Sequence, residues 1–273
     1  MTPIGAIPRA QRFLLERHEI AQVICQVQFS PVLRITRSDD GVVPFQEAVR
    51  ATYPRYTKQQ AMSVVIGPEG VQQQPAPEAQ HRFQDSDEQY TVTLASDFVA
   101  LATAKYIDID DFAARVETLV HAVAEHYEPA EMTRLGLRFI NEFRLGTTNP
   151  QSQMVEILNQ GFLGASGAEE LGESLVSSQH LLELAGDNAQ MIVRHGLHPL
   201  GGTTVLDAAP DAVSDKGPFY LLDIDAFFQQ NPVPFDAGEI AATVREFNDQ
   251  IRSFFARAVK EEHRRGQLGQ VNL

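Results

Sequence analysis

One stretch near the middle of the chain restricts the fold more than any other: Arg134-Leu135-Gly136-Leu137-Arg138-Phe139-Ile140-Asn141-Glu142-Phe143. Leu135, Leu137, Phe139 and Phe143 recur at every second position, with Asn141 among them, while Arg134, Arg138 and Glu142 take the other parity. A period of two with aromatic residues predicts a strand that buries one face. Gly136 lies on the arginine side, where a glycine marks a bulge or a close neighbour. Asn141 points with the apolar set and needs a hydrogen-bond partner there. Arg138 and Asn141 are also a candidate functional pair.

The rest of the chain must supply neighbours for that strand. With 273 residues, 43% of them hydrophobic, it has enough apolar surface for one large domain or two small ones. Ile20 to Pro31 alternates around Val23, Cys25, Val27 and Phe29, predicting a first strand. Residues 1–19 before it read as an irregular or weakly helical extension. Pro44 opens a short helix that Pro54 stops. Residues 57–80 are rich in Gln, Pro and Gly; beyond a short strand at Met62–Ile66, Gly67 to Gln80 reads as a mobile loop. A meander follows, with turns at Asp85-Ser86-Asp87 and Ser96-Asp97. Phe112, Val116, Leu119, Val123 and Tyr127 then mark an amphipathic helix from Ile109 to Tyr127, with Asp108, Asp110 and Asp111 at its positive end.

After the central strand the same order returns. A short helix at Met154–Leu158 precedes a small-residue loop from Gly161 to Gly172. Leu175–Ala185 and Gln190–His195 form a hairpin. A Gly/Pro-rich excursion runs from Gly196 to Pro218, then a strand from Phe219 to Asp225. A last helix spans Ala237 to near Arg264, with Asp236 and Glu239 spaced as a capping box. The predicted class is therefore α+β. An internally duplicated strand–helix–meander–helix unit, residues 20–130 and 131–273, forms one antiparallel sheet with two long helices on one face. By topology this is similar to TATA-binding-protein-like and helix-grip sheets.

Several kinds of chemistry are disfavoured. The formal net charge of −14 repels nucleic-acid phosphates. The single cysteine, Cys25, allows no intrachain disulfide, reads as a small core residue and suits a reducing cytoplasm. No apolar run approaches membrane-spanning length and no secretory signal opens the chain, so no membrane insertion is expected. No phosphate loop, nucleophile elbow or dinucleotide fingerprint is met, and no cofactor is expected. His121, Glu125 and His126 have the spacing H-x-x-x-E-H, which is not that of a zincin.

What remains is collective. If the long helices cover the apolar face, Gln22, Gln26, Gln28, Arg134, Arg138 and Arg194 share the opposite, polar face, a candidate binding surface for a peptide, carboxylate or phosphate. The ordinary alternative is a solvated sheet face. Asp223 and Asp225, with His195 or His198, form an alternative metal site for a hydrolase or nuclease, although an H-x-x-H pair in a Gly/Pro loop is ordinarily just solvated. A small-ligand carrier with a cavity between sheet and helices is a second alternative.

The run from Gly136 to Asn141, G-L-R-F-I-N, resembles the G-L-R-[YF]-I-N signature of a sporadically distributed prokaryotic protein family. The strand before Ser30-Pro31, the turn at Ser96-Asp97 and the Leu221–Asp225 strand fall in that family's order. The resemblance implies a bacterial cytoplasmic protein of two α+β halves. Such genes often travel in accessory systems, anti-phage defence among them. It carries over no catalytic residue and nominates only Gly136, Arg138 and Asn141. The expected function is a non-enzymatic binding, sensor or adaptor module with a protein partner. Homo-oligomers are compatible with it.

Overall fold

The computed structural model describes residue 4 and residues 7–67, 70–199, 217–229 and 232–272. For residues 60–67, 70–78 and 173 it describes the backbone course alone. The strands are β1 (Phe13–Leu15), β2 (Ile20–Phe29), β3 (Arg55–Gly67), β4 (Gly70–Gln84), β5 (Tyr90–Leu94), β6 (Phe98–Thr103), β7 (Glu131–Arg144), β8 (His180–Ala185), β9 (Gln190–His198), β10 (Phe219–Phe228), β11 (Val233–Pro234) and β12 (Gln270–Asn272). The helices are α1 (Leu33–Arg37), α2 (Val43–Val49), α3 (Ile109–Tyr127), α4 (Pro150–Ile157), α5 (Gln160–Leu163), α6 (Ala237–Ala258) and α7 (Glu261–Gly266). The protein is α+β, with a large antiparallel sheet. It divides into two compact units: Gln22–Leu137 with Phe227–Arg245, and Met1–Ala21 with Arg138–Ala226 and Glu246–Leu273.

In the first unit the strand order is β3-β4-β5-β6-β2-β7, with β11 also on β7. Register aligns Phe83 with Val92, Val92 with Leu101, and Leu101 with Cys25, a buried apolar file across four strands. Each such side chain contributes roughly 1.5–3 kcal/mol by leaving water. Phe45 of α2 packs 5.5 Å from Phe83 and 6.4 Å from Tyr127 of α3. The stripe predicted for α3 is buried at Phe112, Val116, Leu119, Val123 and Tyr127. The aspartates at its start have structural work. Asp108 accepts from the Asp111 N–H at 2.8 Å, closing an orphan donor of the first turn. Asp111 holds Arg115 at 3.0 Å and accepts from the Tyr90 hydroxyl at 2.8 Å. The Arg115 guanidinium lies 4.0 Å over the Tyr90 ring.

The second unit carries β7-β10-β9-β8 and a small ribbon of β1 with β12. Phe143 stacks on Phe255 of α6 at 6.4 Å, so α6 covers the buried face of β7 here. Leu135, Leu137, Phe139, Asn141 and Phe143 are all buried, as their alternation predicts.

Several sequence expectations are corrected. Phe13–Leu15 is a strand, because Leu14 meets Val271 in the ribbon; three residues are too few for a period to register. Residues 70–80 are strand β4 and not a loop. Their register on β3 shifts between Gln60 and Met62, whose partners are Ala79 and Pro75, leaving Pro77 in the gap. Proline is tolerated in strands at such irregularities, and a glutamine run has no apolar period to reveal it. Gly161–Gly172 contains α5 and a tight turn at Gly164–Gly167. The last helix breaks after Ala258, where Val259 bridges Leu158 and the Lys260 N–H bonds the Ile157 carbonyl at 2.9 Å. Gly196–His198 belong to β9, whereas residues 200–216 of the predicted excursion lie outside the described residues.

Gly196 is required by a close approach. A Cβ there would lie 1.9 Å from the Ser178 carbonyl oxygen, a backbone atom that cannot swing aside. Gly196→Ala is expected to cost about 2 kcal/mol, in the range of overpacked sites. Urea unfolding at neutral pH measures it; a loss under about 0.5 kcal/mol means the backbone adapts there.

Candidate functional site

The arginines of the signature strand are held in two different ways. Arg134, in the first unit, reaches sideways. Its guanidinium bonds the Gln26 side-chain oxygen at 3.4 Å and lies 4.9 Å from the Phe227 ring centroid. It also passes over Gly136, where a Cβ would fall 2.6 Å from Nη1. The glycine of the signature therefore makes room for the arginine two residues before it, on the same strand face. Gln28 donates to Gln26 at 3.3 Å, and Gln22, Gln26 and Gln28 are half-buried along β2. The Cys25 thiol, on the opposite parity, is buried, and burial pushes its pKa up to about 12. It is therefore not poised as a nucleophile.

Arg138 belongs to the second unit. It grips Asp223 of β10 with two parallel bonds, Nε to Oδ1 at 2.8 Å and Nη2 to Oδ2 at 3.0 Å. Asp223 is 2% exposed, so this is a desolvated, bidentate pair. Arg194 of β9 approaches from the other side, 3.7 Å from Oδ2, a charge contact too long for a good hydrogen bond. Its side chain is 37% exposed, against 18% for Arg138. One buried carboxylate thus lies between two arginines, and the outer arginine retains donors that face solvent.

Asn141 is 4% exposed and donates to the Leu222 carbonyl at 3.0 Å. It ties β7 to β10 on the buried side and is not on the polar face with Arg138. The candidate pair Arg138–Asn141 is thereby separated, one residue to each face of the strand.

The residues of the alternative metal site are also separated. Arg194 and His195 are neighbours on β9, so they point to opposite faces. Arg194 meets Asp223; His195 meets Tyr220 at 2.7 Å on the helix-covered side. His195 is therefore 5% exposed on a strand, not solvated in a loop. The alternation of Met191, Val193 and Leu197 passes through it and is the signal that could have placed it. His198 stacks on Phe219 at 5.0 Å, and burial lowers its pKa. Among the described residues no group of three His, Cys, Asp or Glu side chains could hold a metal ion.

Around His195 is a cluster that sequence reasoning missed. His180 stacks on it at 4.8 Å and meets the Ser166 hydroxyl at 3.1 Å through Nε2. Phe162 of α5 lies edge-on to the His195 ring and against Phe254 of α6. Burial raises the Tyr220 pKa well above its ordinary value and lowers that of His195 to about 4, with the His180 ring contributing less. Ser166 is 5% exposed, which leaves a serine–histidine contact without an open approach for a substrate. These residues come from six separate elements, so no local spacing brings them together. A shallow basin on the surface lies at α1, lined by Leu33, Arg34, Arg37 and Asp40 among others.

No protein-family profile matches the chain, and no curated protein matches it in sequence. No helix among the described residues is long and apolar enough to cross a membrane. Fold and site together define an α+β protein whose sheet carries an arginine–aspartate–arginine array.

Proposed function

We propose that the protein is a binding module whose polar sheet face recognises an acidic group, a carboxylate or phosphate, on a protein partner. The observation that carries this reading is the Arg138–Asp223–Arg194 array. Arg138 is committed to Asp223 by a bidentate pair, which orients the carboxylate and draws Arg194 beside it. Arg194 then presents the remaining donors of a planar fork, a geometry matched to carboxylate and phosphate oxygens. A binding role also agrees with the burial of Cys25 and Ser166, the nucleophile-type side chains described above. The resemblance of the signature strand supports a reading in which such a module works in a bacterial cytoplasm as part of an accessory system, with anti-phage defence as the first setting to test.

The test follows from the unequal exposure of the two arginines. Wild-type chain and Arg194→Glu are immobilised and used to capture proteins from cell lysates, with Arg257→Glu on α6 as a charge-matched control. A partner bound by wild type and control, and reduced at least tenfold by Arg194→Glu, supports the reading. Equal capture by all three, with folded variants, ends it. A tenfold loss corresponds to about 1.4 kcal/mol, within the worth of one charged hydrogen bond.

A further inference from the structure

Beyond the arginine array, the second unit has a strand edge with no neighbouring strand among the described residues. β8 lies at the end of its strand order. Two bonds fix which of its backbone groups face outward. The Gly186 N–H bonds the Ala189 carbonyl at 2.8 Å, and the Ser178 N–H bonds the Leu197 carbonyl at 3.0 Å. Hydrogen-bonded and non-bonded pairs alternate along an antiparallel ladder. With Leu182 opposite Val193 and Leu184 opposite Met191, the bonded residues of β8 are His180, Leu182 and Leu184. The N–H and C=O groups of Leu181, Glu183 and Ala185 therefore point away from β9, along the outer edge, where no described strand pairs with them. The strand His180–Ala185 contains no proline, lysine or bulge, the devices by which edges are ordinarily blunted. Leu181 is 57% exposed on the same residues' side-chain face.

We infer that the β8 edge is a strand-acceptor site, and that it takes an extended peptide segment of a partner in which apolar residues alternate with basic ones. Main-chain bonds to Leu181, Glu183 and Ala185 supply the affinity, as in other strand additions, and side chains supply the choice. Leu182 and Leu184, half-buried on the other face of β8, offer apolar contacts to the apolar residues of the segment. Glu183, on the exposed face with Leu181, receives a lysine or arginine opposite, a favourable cross-strand pair. Charge selects this occupant over a second copy of the chain. Pairing centred on Glu183 would set two Glu183 side chains against each other, and each copy carries a net charge of −14.

The experiment separates backbone from charge at one position. The probe is an acetylated, amidated octapeptide of alternating valine and lysine, titrated into full-length chain at physiological salt. Wild type is expected to bind it, with slowed amide exchange at Leu181, Glu183 and Ala185. Glu183→Gln keeps the outward N–H and is expected to weaken binding two- to fivefold. Glu183→Pro removes that N–H without touching the β9 ladder and is expected to weaken binding more than tenfold. An unchanged melting temperature establishes that both variants fold; if Glu183→Pro melts early, a Glu183 N-amino-methylated chain made by semisynthesis replaces it. No binding by wild type, equal loss in the two variants, or slowed exchange elsewhere overturns the site. A dimer in sedimentation that Glu183→Pro dissolves overturns the occupant.

Discussion

Arg138→Ala is expected to lose about 3 kcal/mol of unfolding free energy, the lower end of the range for deleting one partner of a buried pair. The reason is Asp223. Its side chain is 3% exposed, and the two bonds from Arg138 replace the water it lost on burial. Alanine leaves the carboxylate desolvated, with Arg194 at 3.7 Å as a weaker remnant. The double variant Arg138→Met/Asp223→Leu is expected to recover at least half of the loss, because a buried pair exchanged for apolar side chains of similar volume is often neutral. Urea unfolding of wild type, Arg138→Ala, Arg138→Met, Asp223→Leu and the double variant measures both the loss and the recovery. A single Arg138→Ala loss below about 1 kcal/mol would show that the pair is solvated and behaves as a surface bridge. The prediction also bears on function: alanine at Arg138 disturbs the fold and so cannot report on binding, whereas Arg194 can be changed with Asp223 still held.

The difference between Arg138 and Arg194 was not legible in the sequence. Period-two patterns placed the sheet faces well: Val23, Cys25, Val27 and Phe29 are buried, as are Leu135 to Phe143 on one parity. The Asp236 cap was also readable, and its side chain accepts the Glu239 N–H at 3.0 Å. These features are local, decided within one turn or one strand. The array is not local. Arg138, Asp223 and Arg194 lie on three strands, and only strand order and register bring them to one point. The H-x-x-H pair at His195 and His198 reads as loop by its glycine and proline neighbours, yet it lies on β9, where residues three apart point to opposite faces. The hairpin of β3 and β4 was missed because main-chain bonds form it without an apolar period, and the glutamine-rich composition reads as loop. Internal duplication remains a reading of element order; Val27 and Asn141, which it sets in equivalent positions, have different chemistry.

Acid is expected to weaken the fold through His195, and the sign follows from its two environments. In the unfolded chain its imidazole titrates near the ordinary 6.5; in the folded chain burial beside Tyr220 and Phe162 lowers this to about 4. The unfolded state therefore takes up the proton first as the pH falls. Stability is unaffected by this group above about pH 6.5, declines from there to about pH 4, and levels off below. At pH 4.5 the accumulated loss is about 2.5 kcal/mol, at 1.36 kcal/mol for each pKa unit. Burial is the larger cause of the lowering, and the His180 ring stacked against His195 adds to it. His195→Gln keeps a polar group toward Tyr220 and removes the titration. Urea unfolding of both proteins between pH 7 and pH 4.5 measures the difference. Wild type is expected to lose about 2.5 kcal/mol more than the variant over that interval, the carboxylates contributing equally to both. Parallel curves would mean that protonated His195 is accommodated, through water or a turned ring, and that the cluster is open to solvent.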